Sequence, residues 1–246
     1  MVKRLIDQLG FKFRRRRSPE EAFHDPAYVR HNARRLEHLA SLQLETAGRT
    51  VLEVGAGIGD HTSYYLDRGC PVTITEARQE NMAVLSARYP GRPVLALDVE
   101  APVAVPGSPF EIVHCYGLLY HLSRPDRALE FLASQCSGRL MLETCVSFGS
   151  AMDMHPIQED RLDPSQAQSG VGCRPTRAWI FATLQRLFTH VYVPCTQPDH
   201  EQFPIDWTAP SKHLAGLQRA VFVASRGPMN SPLLSQVLLD VQLRQP

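Results

Sequence analysis

The stretch Val51-Leu52-Glu53-Val54-Gly55-Ala56-Gly57-Ile58-Gly59-Asp60 runs an apolar strand straight into three alternate glycines and then toward a helix. Glycines at such a junction let the backbone turn sharply and let a ligand lie against main chain with no Cβ in the way. The spacing is G-x-G-x-G, unlike the G-x-G-x-x-G of dinucleotide sites, and Glu53 stands two residues before the first glycine. A Gly-rich turn alone is a weak signal, so its meaning depends on what surrounds it.

On either side, short β-like runs alternate with helix-like stretches, the pattern of a parallel sheet with helices on both faces. Strands are predicted over 50–54, 71–75, 94–97, 110–115, 140–143, 190–193 and 220–224. Helices are predicted over 25–44, 60–68, 80–87, 124–134, 175–188 and 233–243, with Asp25 and Pro26 opening the first and Pro175 the fifth. The fold class is therefore α/β: a doubly wound, mostly parallel seven-stranded sheet of Rossmann-like type, with an N-terminal helix and a cap insertion. The insertion, 147–174, is polar and too long for an ordinary connection, which suits a lid. The expected division is a basic segment over 1–22, one α/β domain over 23–227 and a helical tail over 228–246.

Ligands in such sheets bind at the carboxyl ends of the strands. Glu76 ends the second predicted strand, where a carboxylate can accept bonds from both hydroxyls of a ribose. Asp98 follows the third, placed for an adenine exocyclic amine. Each acid alone is as readily a cap or a strand end; three of them beside one glycine turn make a site. The glycine loop holds no Lys or Arg, which disfavours a pyrophosphate and suits S-adenosylmethionine (SAM), with its sulfonium and ammonium. Gly55, Ala56, Gly57, Gly59, Ala77 and Val99 complete the expected cofactor set, and an NAD-linked dehydrogenase is the weaker reading.

The segments VLEVGAGIGDHT (51–62), TITEAR (73–78), LALDVE (95–100) and EIVHCYGLLYHLSRP (111–125) resemble the class I SAM-dependent methyltransferases. GLLYHLSRP, LMLETCV, RPTRAWIFATLQRLF and QRAVFVASR are similar, in order and spacing, to the bacterial tRNA wobble-uridine carboxymethyltransferases, which use carboxy-SAM. That resemblance implies that Tyr116 and Tyr120 lie beside the donor and Arg219 near the transferred group; Cys115, at the end of the fourth strand, also joins the expected cofactor set. The approach to the first helix departs from that family, reading Asp25-Pro26-Ala27-Tyr28-Val29-Arg30-His31-Asn32, and the only lysines are Lys3, Lys12 and Lys212. Shared fold and pocket, with a different substrate, is the reading that follows.

Methyl transfer requires that donor and nucleophile be held in line, and sometimes that a proton be removed. His121, after the fourth strand, is the candidate base, against a helix-terminal histidine bonded to backbone. Glu143, ending the fifth strand, would orient His121 or anchor an acceptor amine, against a capping role. Tyr28, Arg30, His155, Trp179 and Arg219 are the acceptor-side candidates, with core packing the rival use of Trp179. The insertion, with Met152, Met154 and His155, the helix of Tyr28 and Arg30, and the 194–218 connection are the segments expected to enclose a small acceptor. No histidine spacing indicates a metal site.

The 246 residues suit a single α/β domain, 43% hydrophobic content supplies a core, and a net charge of +1 gives no general attraction to nucleic acid. The first seventeen residues are basic, with Arg14, Arg15, Arg16 and Arg17 in a run, and lack the apolar core of a signal peptide. No run of about 18 apolar residues predicts a membrane span. The cysteines contain no C-x-x-C pair, which fits reduced thiols in the cytoplasm. A SAM-dependent methyltransferase acting at oxygen or nitrogen of a small molecule or sugar is the leading reading. An RNA-modifying transferase and a catalytically silent subunit of the same fold follow it, and the oligomeric state is open.

Overall fold

In the computed structural model, which describes residues 16–209 and 216–245, every residue of β1 (Val51–Val54) is buried. A strand covered on both faces by helices requires such a continuous run. Its companions are β2 (Val72–Glu76), β3 (Val94–Ala96), β4 (Phe110–Tyr116) and β5 (Cys136–Val146), followed by β6 (Met154–Gln158), β7 (Val171–Pro175), β8 (His190–Pro194), β9 (Thr196–Gln197), β10 (Gln218–Ser225), β11 (Leu234–Ser235) and β12 (Leu243–Arg244). Eight of these form one sheet in the order β3-β2-β1-β4-β5-β10-β8-β11. β10 runs antiparallel to both β5 and β8, and β11 is antiparallel to β8. The sheet thus has one strand more than the seven expected, because the two-residue β11 caps its edge.

The helices are α1 (Pro19–Phe23), α2 (Pro26–Ser41), α3 (Thr62–Leu66), α4 (Gln79–Arg88), α5 (Pro125–Ser134) and α6 (Arg177–Leu187). Leu129 and Leu132 of α5 and Ile180 and Leu184 of α6 pack on one face of the sheet. Leu39 of α2, Tyr65 of α3 and Leu85 of α4 pack on the other. Asp25 caps α2 through Ala27 N, with Pro26 in the first turn. Pro175 does not open α6: it ends β7, and the Thr176 hydroxyl caps the helix by accepting from Trp179 N at 3.2 Å.

The helix expected over 233–243 does not form, and the described part of the tail, 228–245, holds no helix. The Ser235 hydroxyl accepts from Val237 N, a local alternative to helix pairing. Further on, Gln242 N donates to Ile205 O and Leu243 N to Cys195 O, so the amides are spent on distant chain. The apolar spacing read as a helix face instead sets Leu234, Leu238 and Leu239 against the two cores. The insertion is a β6–β7 hairpin, and Ser147 bridges to Thr176 at its base. Lys3, Lys12, Arg14 and Arg15 of the basic segment lie outside the described residues; Arg16 and Arg17 pair with Glu80 and Asp163.

Candidate active site

A cavity of about 310 Å³ lies at the carboxyl ends of β1, β2 and β4, within the size range of ligand pockets. Glu53, Gly55, Ala56, Gly57, Glu76, Ala77, Asp98, Val99, Tyr116, Tyr120, Tyr28 and His121 all line it. Gly57 takes φ +60°, and a Cβ there would meet the Phe23 ring at 2.7 Å, so only glycine lets α1 close down on the turn. Glu76 accepts from the backbone N–H groups of Gly57 at 2.8 Å and of Ala77 and Arg78 at 2.9 Å each, joining the turn to the end of β2. A carboxylate offers about four lone-pair sites, so Glu76 keeps capacity for a ligand hydroxyl. Burial pushes the Glu53 carboxyl up to about 7, against the Thr62 hydroxyl that donates to it at 2.6 Å.

The floor is polar and was not visible in the sequence. Arg35, on the inward face of α2, donates to Glu143 through Nε at 3.1 Å and through Nη2, while Nη1 donates to Asn32 Oδ1 at 2.9 Å. Arg219 donates to the other Glu143 oxygen at 3.0 Å, to Tyr120 Oη at 3.1 Å and to Gln202 Oε1 at 2.9 Å. Burial raises the Glu143 carboxyl, but the two arginines outweigh it and hold the group below its ordinary value.

Asn32 also sets the direction of a buried chain. Its Oδ1 faces Arg35, which can only donate, so the bond to His61 Nε2 at 3.2 Å requires a proton on that nitrogen. His61 Nδ1 then accepts from His114 Nε2 at 3.0 Å, and His114 Nδ1 accepts from Tyr65 Oη at 2.9 Å. Both rings are neutral: burial, helped by the Arg35 charge, drives His61 well below its ordinary value and His114 down to about 3. Tyr116, stacked on His114 with ring centroids 4.4 Å apart, lines the cavity with a buried hydroxyl that has no partner among the described residues.

The cap enters the cavity through Pro164, Ser165, Gln166, Gln168 and Ser169, not through Met152, Met154 or His155, which are exposed. Arg78 Nη2 donates to the carbonyls of Arg161 and Gln166 at 3.1 and 3.0 Å, and Asn81 Nδ2 to that of Pro164 at 3.2 Å. His121, in a 3-10 turn over Leu119–His121, bonds through Nδ1 to the Glu159 carboxylate of the cap.

Seven expected site residues lie outside the cavity lining. Gly59 sits beneath α4, beside Tyr89 and Leu85. Cys115 points into the opposite core because strand side chains alternate, which is why its neighbours His114 and Tyr116 face the cavity. Glu143 and Arg219 lie just behind the lining, bonded to each other, and Glu143 does not orient His121. Arg30 pairs with Glu201 on the surface, His155 is exposed on β6, and Trp179 packs on the core. The lining residues that sequence reasoning missed include Phe23, Asn32, Arg35, His61, Arg78, Asn81 and His114. His114 carried a signal, a histidine inside an apolar strand; the others depend on distant contacts.

The cavity holds Glu53, Asp60, Glu76, Asp98 and Glu100 against only Arg35 and Arg78, both engaged by the protein. That excess of acid fits a cationic ligand and not a pyrophosphate. Among the described residues no cluster of His, Cys, Asp and Glu could hold a metal ion.

The methyltransferase domain family matches residues 27–208. No curated protein matches the sequence. Among solved structures, the N-terminal domain of EvdMO1, crystallised with S-adenosylhomocysteine and D-fucose, is 21% identical, covers 79% of this chain and 82% of its own, and has a TM-score of 0.60. An S-adenosylmethionine-dependent methyltransferase from Mesorhizobium loti is 18% identical, with 77% and 96% covered and a TM-score of 0.57. The 1,6-didemethyltoxoflavin-N1-methyltransferase of Burkholderia thailandensis, with its acceptor and S-adenosylhomocysteine bound, is 19% identical, with 84% of each chain covered and a TM-score of 0.53. At these identities the likeness is one of fold.

Proposed function

Since the chain belongs to the methyltransferase domain family, we propose that it moves the methyl group of S-adenosylmethionine to an oxygen or nitrogen of a small molecule. The observation that carries this reading is the acid-lined cavity at the glycine turn, with Glu76 at the end of β2. SAM supplies a methyl group already activated by its sulfonium. Glu76 would take the ribose hydroxyls, Asp98 the adenine amine, and Gly55 to Gly57 the main-chain contact. His121, in the same cavity, is the base; Tyr116 and Tyr120 stand beside the donor, and Tyr28 is an acceptor-side wall. Small molecules accompany S-adenosylhomocysteine in the neighbours above, D-fucose in one and 1,6-didemethyltoxoflavin in another.

A second reading comes from the likeness to the wobble-uridine carboxymethyltransferases, in which Arg219 would meet the carboxylate of carboxy-SAM. Arg219 lies behind the cavity lining, bonded to Glu143, Tyr120 and Gln202, which favours plain SAM. Arg16 and Arg17 are spent on acids, which favours a small acceptor over RNA. Among the described residues no helix is long and apolar enough to cross a membrane. We place the protein in the cytoplasm because its six cysteines are free thiols, five of them buried.

Calorimetry with SAM, S-adenosylhomocysteine, carboxy-SAM and NADH tests the reading. SAM is expected to bind tightest of the two donors and far tighter than NADH. Tighter binding of NADH would overturn the assignment, and tighter binding of carboxy-SAM would move it to the second reading.

A further inference from the structure

We propose that Glu159, on the cap hairpin, is a positioning residue that turns the bare Nε2 of His121 toward the acceptor, and that the acceptor atom is accordingly a hydroxyl oxygen. The inference rests on the methyltransferase reading above and adds a residue and a substrate class to it.

The geometry is specific. Glu159 follows β6, and its side chain is nearly as buried as the core, at 3% exposure. Its Oε2 accepts from Ala167 N at 2.8 Å as well as from His121 Nδ1, and Arg174 approaches Oε1 at 3.4 Å. Tyr120 lies beside the His121 ring, centroids 3.9 Å apart, fixing its plane. The fit needs Gly172 on β7, where a Cβ would come within 2.4 Å of Tyr120 O and 2.8 Å of Glu159 Oε1. The hairpin and the turn after β4 are thus built to bring this carboxylate to this ring.

The chemistry follows from donors and acceptors. Burial raises the Glu159 carboxyl, but the bond from His121, the Ala167 amide and Arg174 outweigh it, so the group is ionised and can only accept. His121 Nδ1 must therefore carry its proton. Burial lowers the His121 pKa despite Glu159, so the ring is neutral and Nε2 holds a lone pair. Among the described residues the His121 side chain is bonded through Nδ1 to Glu159 and not through Nε2, and the residue lines the cavity. A histidine prepared in this way serves an acceptor that must lose a proton to attack. A neutral amine is nucleophilic enough to attack as it stands; the oxygen of an alcohol or phenol becomes so as its proton is taken. In the transfer, an oxygen lone pair forms the C–O bond, the C–S bond breaks with its electron pair passing to sulfur, and the hydroxyl proton goes to His121 Nε2. Glu159 then faces an imidazolium, and the proton leaves to solvent afterwards, so one proton is released per methyl ether formed.

The test is histidine ¹⁵N NMR on the full chain with S-adenosylhomocysteine, using His121→Gln to assign the resonance. The wild-type ring is expected as the Nδ1–H tautomer at neutral pH. Glu159→Gln should lower its titration point by about one pH unit, since a carboxylate favours the imidazolium. An Nε2–H tautomer, or a titration point unmoved by Glu159→Gln, would overturn the proposal. In turnover with 4-methylumbelliferone and D-fucose as hydroxyl probes, Glu159→Gln should lower kcat about 10- to 100-fold at similar KM. Turnover of an aniline probe in preference to both would overturn the substrate class. The tautomer decides the residue's role whether or not a probe is turned over. Calorimetric loss of S-adenosylhomocysteine binding in the wild type would instead count against the methyltransferase reading.

Discussion

Arg219 and Glu143 are diagonal neighbours on the β10–β5 ladder, where Arg219 pairs with Cys145 and Glu143 with Val221. Their side chains meet on one face at 3.0 Å, and Arg35 reaches the other oxygen of the same carboxylate from α2. Three buried charges therefore tie the two strands to the helix beneath the cavity. Removing the only anion strands two cations, which costs more than the pair contributes. Glu143→Gln is expected to lose about 3–5 kcal/mol in urea unfolding. A loss below 1 kcal/mol would show that water reaches the arginines.

Glu76→Ala should weaken S-adenosylhomocysteine by about 1.5–3 kcal/mol in calorimetry, the scale of charge-assisted hydrogen bonds. Part of this loss is indirect, because Glu76 also holds the amides of Gly57, Ala77 and Arg78. Unchanged affinity would remove Glu76 from the site.

Glu53 makes donor binding depend on pH. Its carboxyl is pushed up to about 7, chiefly by burial, from an ordinary value of 4.5. A folded value raised above the unfolded one means that stability is lost as pH rises between those values and is level above 7. A cation bound in the same cavity favours the ionised form, so SAM affinity should rise with pH and level off above 7, releasing protons on binding. At pH 6 it should be weaker by up to about tenfold than at pH 8. Glu53→Gln should flatten the profile; a profile that keeps its slope in the variant would assign it to another group.

Arg78 and Asn81 staple the cap to the end of β2 and the start of α4 through three main-chain carbonyls. Arg78→Ala should raise amide hydrogen exchange across 164–170 and weaken S-adenosylhomocysteine roughly tenfold, as two charged hydrogen bonds are lost. Unaltered exchange there would show that the β6–β7 hairpin alone holds the loop.

Gly57→Ala forces a Cβ against the Phe23 ring at 2.7 Å, with φ at +60°. A cost of about 1–3 kcal/mol in thermal unfolding is expected. A smaller loss, with donor affinity unchanged, would mean that α1 yields.

The glycine turn, the strands that follow it and the acids at their ends were legible because each signal is local. The strand alternation of β4 was legible too: applied to the expected Tyr116, it adds His114 and excludes Cys115. What was hidden is long-range: Arg35 meets Glu143 across 108 positions of sequence, and His121 meets Glu159 across 38. Glu143 was read as a partner of His121 because both end neighbouring strands, yet its oxygens were already spent. The C-terminal segment was misread because apolar residues at mixed spacing satisfy a helix face and an extended edge alike.

The antiparallel insertion of β10 has a consequence for biosynthesis. The sheet neighbours of β8 are β10 and β11, both of which leave the ribosome after it. While the chain is being made, β8 has no strand to pair with, and one edge of β5 stays open until residues 218–225 arrive. Open edges of this kind are the surfaces on which nascent chains aggregate. The segment that carries Arg219 is therefore also the one that ends that exposure, and a truncation before it would leave a nascent sheet split in two.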